Sequence, residues 1–369
     1  MSRRVVGIVF GGRSVEHEIS LLSARSIIQN IDSRKFDIFP IFIMKDGSWR
    51  KASIEDWVVG GEIIISDLTF LTPSLDPQKP VFYEIENKKV KQEHKLDVLF
   101  PILHGTYGED GTVQGMFELM GIPFVGSSVL GSSVGMDKIA MKTIFRDSGI
   151  PVVQFIGFNK SDWTKQKGIV KKRIQGEIGI PCFVKSANLG SSVGITKVKS
   201  ENELDKAVDF ACEFSNKIIV EKAVLNPREI EVSVLGNEEP IASLPGEIIP
   251  HREFYDYKAK YTEKGTELVA PAKLNEETTE NIQKLAIKGF KATDCFGMAR
   301  VDFLMEKGTG DIFVSELNTI PGFTQISMYP KLWEVTGISY KELISRLINL
   351  AFERHENIKK LRTAFKDLY

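Results

Sequence analysis

Cysteine is scarce in this chain of 369 residues: Cys182, Cys212 and Cys295 are its three, an odd number at wide spacing. They form neither a zinc pattern nor a disulfide framework, so a reducing compartment, the cytoplasm, is expected. No G-x-x-x-x-G-K-[ST] occurs, which excludes a P-loop, and no G-x-G-x-x-G follows the first apolar run, which argues against a dinucleotide fold. The net charge is only -1, so neither nucleic acid nor an anionic membrane is expected as a partner, and any anionic ligand must be met by local charge. No apolar run is long enough to span a bilayer. Arg3 and Arg4 precede VVGIVF in the manner of a twin-arginine signal, but the run stops at Gly11 and Gly12 and charged residues follow, so it reads as a buried first strand.

What is present centres on residues 298–330, MARVDFLMEKGTGDIFVSELNTIPGFTQISMYP, which reads as a β-hairpin followed by a glycine turn. Side chains alternate along a strand, so Arg300, Asp302 and Leu304 share one face, as do Val314, Glu316 and Asn318. With the turn centred on Thr309, Asp302 lies opposite Glu316 and Arg300 opposite Asn318. Facing carboxylates repel unless a cation sits between them, and oxygen-only donors suit Mg²⁺ or Mn²⁺ rather than zinc. A half-exposed amphipathic hairpin is the alternative; the turn Asn318 to Gly322, with free N–H groups and Ser327 close behind, favours a site for metal-bound phosphate.

The length exceeds one typical core, and two or three domains are expected. RVVGIVF (4–10), FDIFPIFI (36–43) and LDVLFPILHG (96–105) read as buried parallel strands, IPFVGSS (122–128) as a last strand, and residues 50–95 as a polar elaboration. The loops GGRSVE and LHGTYGEDG then face one crevice at the carboxyl ends of the strands. A first boundary is placed near Gly126, giving an α/β domain over 1–126. A small α+β module covers 127–222, with a helix over 136–149 and another in ENELDKAVDFACEF. The third part, 223–369, holds strands EIEVSVLG and PIASLPGEII, a polar loop over 251–271, a helix from about Asn275 to Thr293, the hairpin, and a C-terminal packing helix from about Tyr340. LGSSVG occurs at 130–135 and 189–194, but nothing around the copies matches.

FVKSANLGSSVGI sets Lys185 at a strand end before a small-residue loop able to lay backbone donors along a triphosphate. A Gly/Ser loop alone is usually just a turn; with Lys138, Lys185 and the acidic hairpin it becomes a phosphate site. Glu221 and Lys222 end a strand and either read an adenine edge or face water. Glu229 and Glu231 share a strand face and either hold a ribose or are solvated. Glu16, in the first turn of a helix, is favoured there by the dipole in any case. A lone His104 after a buried strand is more simply a structural histidine with satisfied hydrogen bonds.

RVDFL…SELNTIPGFTQISMYP, VKSANLGSSVGITKV, LHGTYGEDGTVQG, GGRSVEHEIS and FYDYKAKY, in this order, closely resemble the D-alanine–D-alanine ligases of the ATP-grasp superfamily, over essentially the whole chain. The resemblance implies a three-domain ATP-grasp architecture, α/β and α+β, with an N-terminal open parallel-sheet domain. It implies synthesis of D-alanyl-D-alanine for peptidoglycan through a D-alanyl phosphate, with ATP and two Mg²⁺, by a homodimer. Asp302, Glu316 and Asn318 match the metal ligands, Lys138 and Lys185 the phosphate lysines, Glu221 and Lys222 the adenine end, and Glu229 the ribose contact. Glu16 matches the carboxylate that receives the first D-alanine's ammonium, grouped with Ser191 and Tyr261, and His104 the histidine beside that substrate. Arg300 and the N–H of Gly322 match the oxyanion site; Ser327 and Lys260 match contacts to the second carboxylate, and Lys260 is placed on the ATP side as well. Loop 251–271, carrying Lys260 and Tyr261, is expected to act as a water-excluding lid.

Departures are few. Ser186 follows Lys185 where many members have proline, and Met328 after Ser327 does not point to D-serine. Tyr261 speaks for a dipeptide rather than an ester such as D-alanyl-D-lactate. A regulator without catalysis is argued against by the presence of Asp302, Glu316, Asn318 and Arg300, and a biotin-dependent carboxylase leaves GGRSVEHEIS and FYDYKAKY unexplained.

Overall fold

The computed structural model describes residues 3–53, 69–190, 194–250 and 266–362, and three sheets follow one another along them. Strand β1 (Arg4–Gly11) pairs in parallel with β2 (Phe36–Ile43) through the crossover helix α1 (His17–Asn30). The polar stretch that follows supplies antiparallel strands β3 (Trp49–Lys51), β4 (Thr69–Pro73), β5 (Val81–Glu86) and β6 (Lys89–Lys95). With β7 (Val98–Pro101) parallel to β1, the sheet runs β6-β5-β4-β3-β2-β1-β7. The expected parallel strands are there, as one part of a mixed sheet. Residues 122–128, read as a last strand, contribute only a bridge from Phe124 to Leu99, because Gly126 takes φ +97° and turns the chain away.

Helix α2 (Thr112–Met120) covers one face of this sheet and α1 the other. Next come α3 (Val129–Met136), which contains the first LGSSVG, and α4 (Lys138–Asp147), capped by Asp137, whose carboxylate accepts from the N–H groups of Ile139 and Ala140. The second sheet is antiparallel, β10-β9-β11-β8, built from β8 (Phe155–Asn159), β9 (Cys182–Ser186), β10 (Ile195–Val198) and β11 (Lys217–Lys222). Helices α5 (Lys160–Arg173) and α6 (Leu204–Phe214) cover it.

The third sheet comprises β12 (Pro227–Gly236), β13 (Ile241–Ala242), β14 (Gly246–Pro250), β15 (Thr266–Val269), β16 (Gly297–Glu306) and β17 (Ile312–Asn318), in the order β15-β14-β12-β16-β17 with β13 on β12. Helix α7 (Glu276–Ala292) packs on it beside α4, so that Met141 and Phe145 share a core with Ile282, Ala286 and Phe290. The expected polar loop 251–271 carries β15 at its far end; its residues 251–265 lie outside the described residues.

The hairpin pairs as read from the sequence, Asp302 with Glu316 and Arg300 with Asn318, but by another route. Met305 pairs with Ile312, so the turn is centred between Gly308 and Thr309, and a bulge at Ser315 restores the register. Val314 therefore faces the core opposite Phe303 and does not share the face of Glu316, a correction to strict alternation.

Two last helices close the molecule. From α8 (Met328–Val335) Tyr329 and Trp333, and from α9 (Tyr340–Lys359) Leu343, Ile344, Leu347 and Ile348, enter the core of the first sheet with Val6, Phe10 and Phe100. Each such fully buried side chain contributes about 1.5–3 kcal/mol. Arg354 lays its guanidinium on the Phe124 ring, 4.1 Å from the centroid, and donates Nη1 to Gly126 O at 2.8 Å.

Candidate active site

Cross-strand pairing places Glu231 of β12, Asp302 of β16 and Glu316 of β17 in one row. Residues paired across strands share a face, so three carboxylates line one side of this sheet. Arg300 meets two of them: Nε and Nη2 donate to the Asp302 carboxylate, both at 2.7 Å, and Nε lies 3.1 Å from Glu231 Oε2. Burial works against the guanidinium charge, but Asp302 and Glu231 outweigh it and raise the Arg300 pKa. Asn318 Nδ2 donates to Asp302 Oδ2 at 3.1 Å. Glu316, with 29% of its side chain exposed, lies 3.6 Å from Lys138 Nζ.

Lys138 opens α4, and its ammonium also donates to Leu189 O at 2.8 Å, at the start of the Gly/Ser loop. Lys185 of β9 stands opposite Ile219 of β11, so it shares a face with Glu221 two residues on. Its Nζ donates to Glu221 Oε2 at 2.8 Å. Burial pushes the Glu221 carboxyl up, but Lys142 and Lys185 more than reverse it and hold the pKa at about 2. Lys222 is exposed; its N–H donates to Gln154 O at 2.9 Å. Glu229 is half-buried on β12, opposite Leu304.

Glu16 occupies the cap position directly before α1 rather than its first turn, and is buried. A Cβ at residue 105 would stand 2.9 Å from Glu16 Oε2, and one at residue 190 would stand 3.3 Å from it. Glycine at both positions thus lets the loop after β7 and the phosphate loop close on one carboxylate; Gly105 also needs φ +77°.

His104 is buried, and its Nδ1 lies 3.0 Å from Ile320 O and its Nε2 3.1 Å from Ser23 Oγ. A carbonyl can only accept, so the proton sits on Nδ1 and Nε2 accepts from Ser23. Phe323 N–H donates to that same Ser23 hydroxyl at 3.3 Å. Burial lowers the His104 pKa, against the pull of Glu16, and keeps the ring neutral. Glu109 spans the same gap, accepting from Gly105 N–H at 2.7 Å and Ile320 N–H at 3.1 Å. Burial and the charge of Glu16 push its carboxyl up to about 8. Beyond Ile320, a Cβ on Gly322 would lie 3.0 Å from Ser327 Oγ, which accepts from Thr324 N–H at 3.1 Å.

Contacts between loops of the three sheets thus link Glu16, His104, Lys138, Lys185, Arg300, Asp302, Glu316, Asn318, Gly322 and Ser327 among the described residues, while Lys222 is turned to solvent. Ser191, Lys260 and Tyr261 lie outside the described residues. Sequence reasoning passed over Lys142, Glu231's ion pair and the clamp through Ser23 and Glu109. Lys142 had a signal, since it lies four residues after Lys138 and so on the same helix face.

Comparison with known proteins follows the same lines. The family model described as "D-ala D-ala ligase N-terminus" matches residues 5–127, and that described as "D-ala D-ala ligase C-terminus" matches residues 144–349. The chain is 44% identical over 365 residues to a D-alanine–D-alanine ligase of Bacillus cytotoxicus, covering 98% of this chain and 99% of the relative. It is 47% identical over 375 residues to one of Acetivibrio thermocellus, covering 97% and 98%. Among solved structures, the D-alanine-D-alanine ligase of Coxiella burnetii superposes with a TM-score of 0.83 at 37% identity, covering 98% of this chain and 97% of that one. The VanG D-Ala:D-Ser ligase of Enterococcus faecalis does so with a TM-score of 0.83 at 35% identity, covering 95% and 100%.

Proposed function

The chain belongs to the D-alanine–D-alanine ligase family, and on that premise we propose that it joins two D-alanine molecules at the loops gathered around Glu16 and Gly322, beside an ATP whose phosphates rest on Lys138 and Lys185. The reaction is the ATP-dependent synthesis of D-alanyl-D-alanine for peptidoglycan, releasing ADP and phosphate. The observation that carries the reading is the approach of Lys138 to Glu316 at 3.6 Å, which sets a phosphate-binding cation against the acidic hairpin.

A carboxylate is a poor acyl donor. In this reading an oxygen of the first D-alanine's carboxylate takes the γ-phosphoryl group of ATP, ADP leaves, and D-alanyl phosphate results. Lys138 and Lys185 offset the charge of the phosphates, while Glu16 receives the ammonium of the first D-alanine beside His104. The amine of the second D-alanine, its carboxylate placed by Ser327, attacks the acyl carbon; phosphate leaves and the amine loses a proton. Arg300 and the N–H of Gly322 stabilise the oxyanion formed on the way. Glu221 and Lys222 are assigned to the adenine end and Glu229 to the ribose.

Among the described residues no three His, Cys, Asp or Glu side chains form a metal cluster. Two carboxylates and an amide, Asp302, Glu316 and Asn318, nevertheless suit two Mg²⁺ ions (or Mn²⁺) that draw their remaining ligands from a triphosphate and water. When bound, the ions neutralise charge on the phosphoryl oxygens. The cytoplasm is the proposed compartment, consistent with three free, buried cysteines; no helix among the described residues is long and apolar enough to cross a membrane. A homodimer is the proposed assembly, to be checked by light scattering, and a monomer at assay concentration would reject it.

The test of function is product analysis by mass spectrometry with Mg-ATP and D-alanine, with and without equimolar D-lactate or D-serine, counting ADP. One ADP per D-alanyl-D-alanine, with little ester near neutral pH, is expected. ADP release without dipeptide, or a dominant ester, would overturn the assignment of the second substrate.

A further inference from the structure

Lys142 is a lysine with no exposed surface, one helical turn beyond Lys138 on α4. Among the described residues its Nζ faces the carboxylate of Glu221, 3.3 Å from Oε1, while Lys185 takes Oε2 at 2.8 Å. Glu221 is itself only 2% exposed. One buried negative charge is thus held by two ammonium groups, one at each carboxylate oxygen, and the two differ in access. Lys185 stands at the edge of the site with 14% of its side chain exposed; Lys142 is sealed behind and has no path to a ligand.

We propose that Lys142 is a positioning residue for ATP: it is the permanent counter-ion of Glu221, and this releases Lys185 to the phosphates. Without it, moving Lys185 onto an anionic ligand strands a buried carboxylate with no partner, a strongly unfavourable change in proteins. With it, Glu221 keeps one cation whichever way Lys185 points. Burial and the neighbouring Lys185 depress the Lys142 pKa while Glu221 opposes them, in keeping with an ammonium whose charge depends on that carboxylate.

This inference rests on the proposed contact of Lys185 with the ATP phosphates. Lys142→Met is expected to weaken ATP binding at least about tenfold by calorimetry and to raise the KM for ATP while kcat moves less than about threefold. Adenosine, which has no phosphates, is expected to bind within about twofold of wild type. In a Glu221→Gln background, where the charge that traps Lys185 is gone, adding Lys142→Met is expected to change ATP binding less than about threefold relative to Glu221→Gln alone; as a neutral pair this double variant also serves if the single methionine variant does not fold. Unchanged ATP binding in Lys142→Met, equal weakening of ATP and adenosine, or a further loss of about tenfold when Lys142→Met is added to Glu221→Gln would overturn the proposal. Loss of the underlying reading has a separate signature: Lys185→Met would bind ATP as tightly as wild type.

Discussion

His104 Nδ1 donates to the carbonyl of Ile320 at 3.0 Å, joining residues 216 positions apart. Because Glu109 accepts from the N–H of the same residue, both polar groups of Ile320 are held by the loop after β7. The turn carrying Gly322 is thereby fixed relative to Glu16 before any substrate arrives, which is how an active site avoids reorganising during reaction. His104→Ala leaves the Ile320 carbonyl and the Ser23 hydroxyl short of a partner. It is expected to destabilise the fold by about 1–3 kcal/mol in urea unfolding and to lower kcat by about tenfold or more in an ADP-release assay. Wild-type values for both would show that the clamp does not position the site.

Glu109 gives a pH dependence. Its carboxyl titrates near 4.5 when unfolded and at about 8 in the fold. The stability linked to its proton is therefore fully present below about 4.5 and is lost as pH rises to about 8, by up to about 1.4 kcal/mol per pH unit. Glu109→Gln cannot titrate, so its unfolding free energy, followed from pH 5 to 8, is expected to fall less steeply than that of wild type. Parallel curves would mean that Glu109 is ionised throughout.

Asp302 and Glu316 face each other yet differ in what else they do. Asp302 binds Arg300 through two hydrogen bonds and accepts from Asn318, whereas Glu316 is more exposed. Asp302→Ala is expected to abolish turnover and to cost about 1–3 kcal/mol, because a guanidinium only 17% exposed loses one of its two carboxylate partners. Glu316→Ala is expected to abolish turnover with stability changed by less than about 1 kcal/mol. Near-normal activity in Glu316→Ala would falsify the metal assignment.

Gly105→Ala combines a disfavoured φ of +77° with a methyl carbon 2.9 Å from Glu16 Oε2. Displacing that carboxylate is expected to raise the KM for the first D-alanine at least about tenfold, leaving the KM for ATP within about twofold. If both constants rise together, the strain has spread beyond the ammonium site.

Period-two alternation and a glycine turn made the hairpin readable, because its facing acids are an expensive pattern with few explanations. The bulge at Ser315 carries no local signal, so strict alternation puts Val314 on the wrong face. Strands β3 to β6 escaped notice because β6 is almost wholly exposed and shows no apolar period. Helix α5, KSDWTKQKGIVKKR, buries only Trp163 and Val170 and so has little amphipathic signature. Lys142 shows the limit most clearly: a helical lysine is ordinarily solvated, and only the fold reveals the carboxylate that lets it be buried.

Leu343, Ile344 and Leu347 of α9 complete the core that β1 and β7 begin, and Arg354 reaches Gly126 across 228 positions. A nascent chain emerging from the ribosome would accordingly carry its first sheet with one apolar face covered by α1 alone, and so incompletely, until α9 has been synthesised. The core of the first sheet is therefore not expected to be complete before the last helix is made. A truncation before α9 is expected to yield aggregate rather than a soluble amino-terminal half.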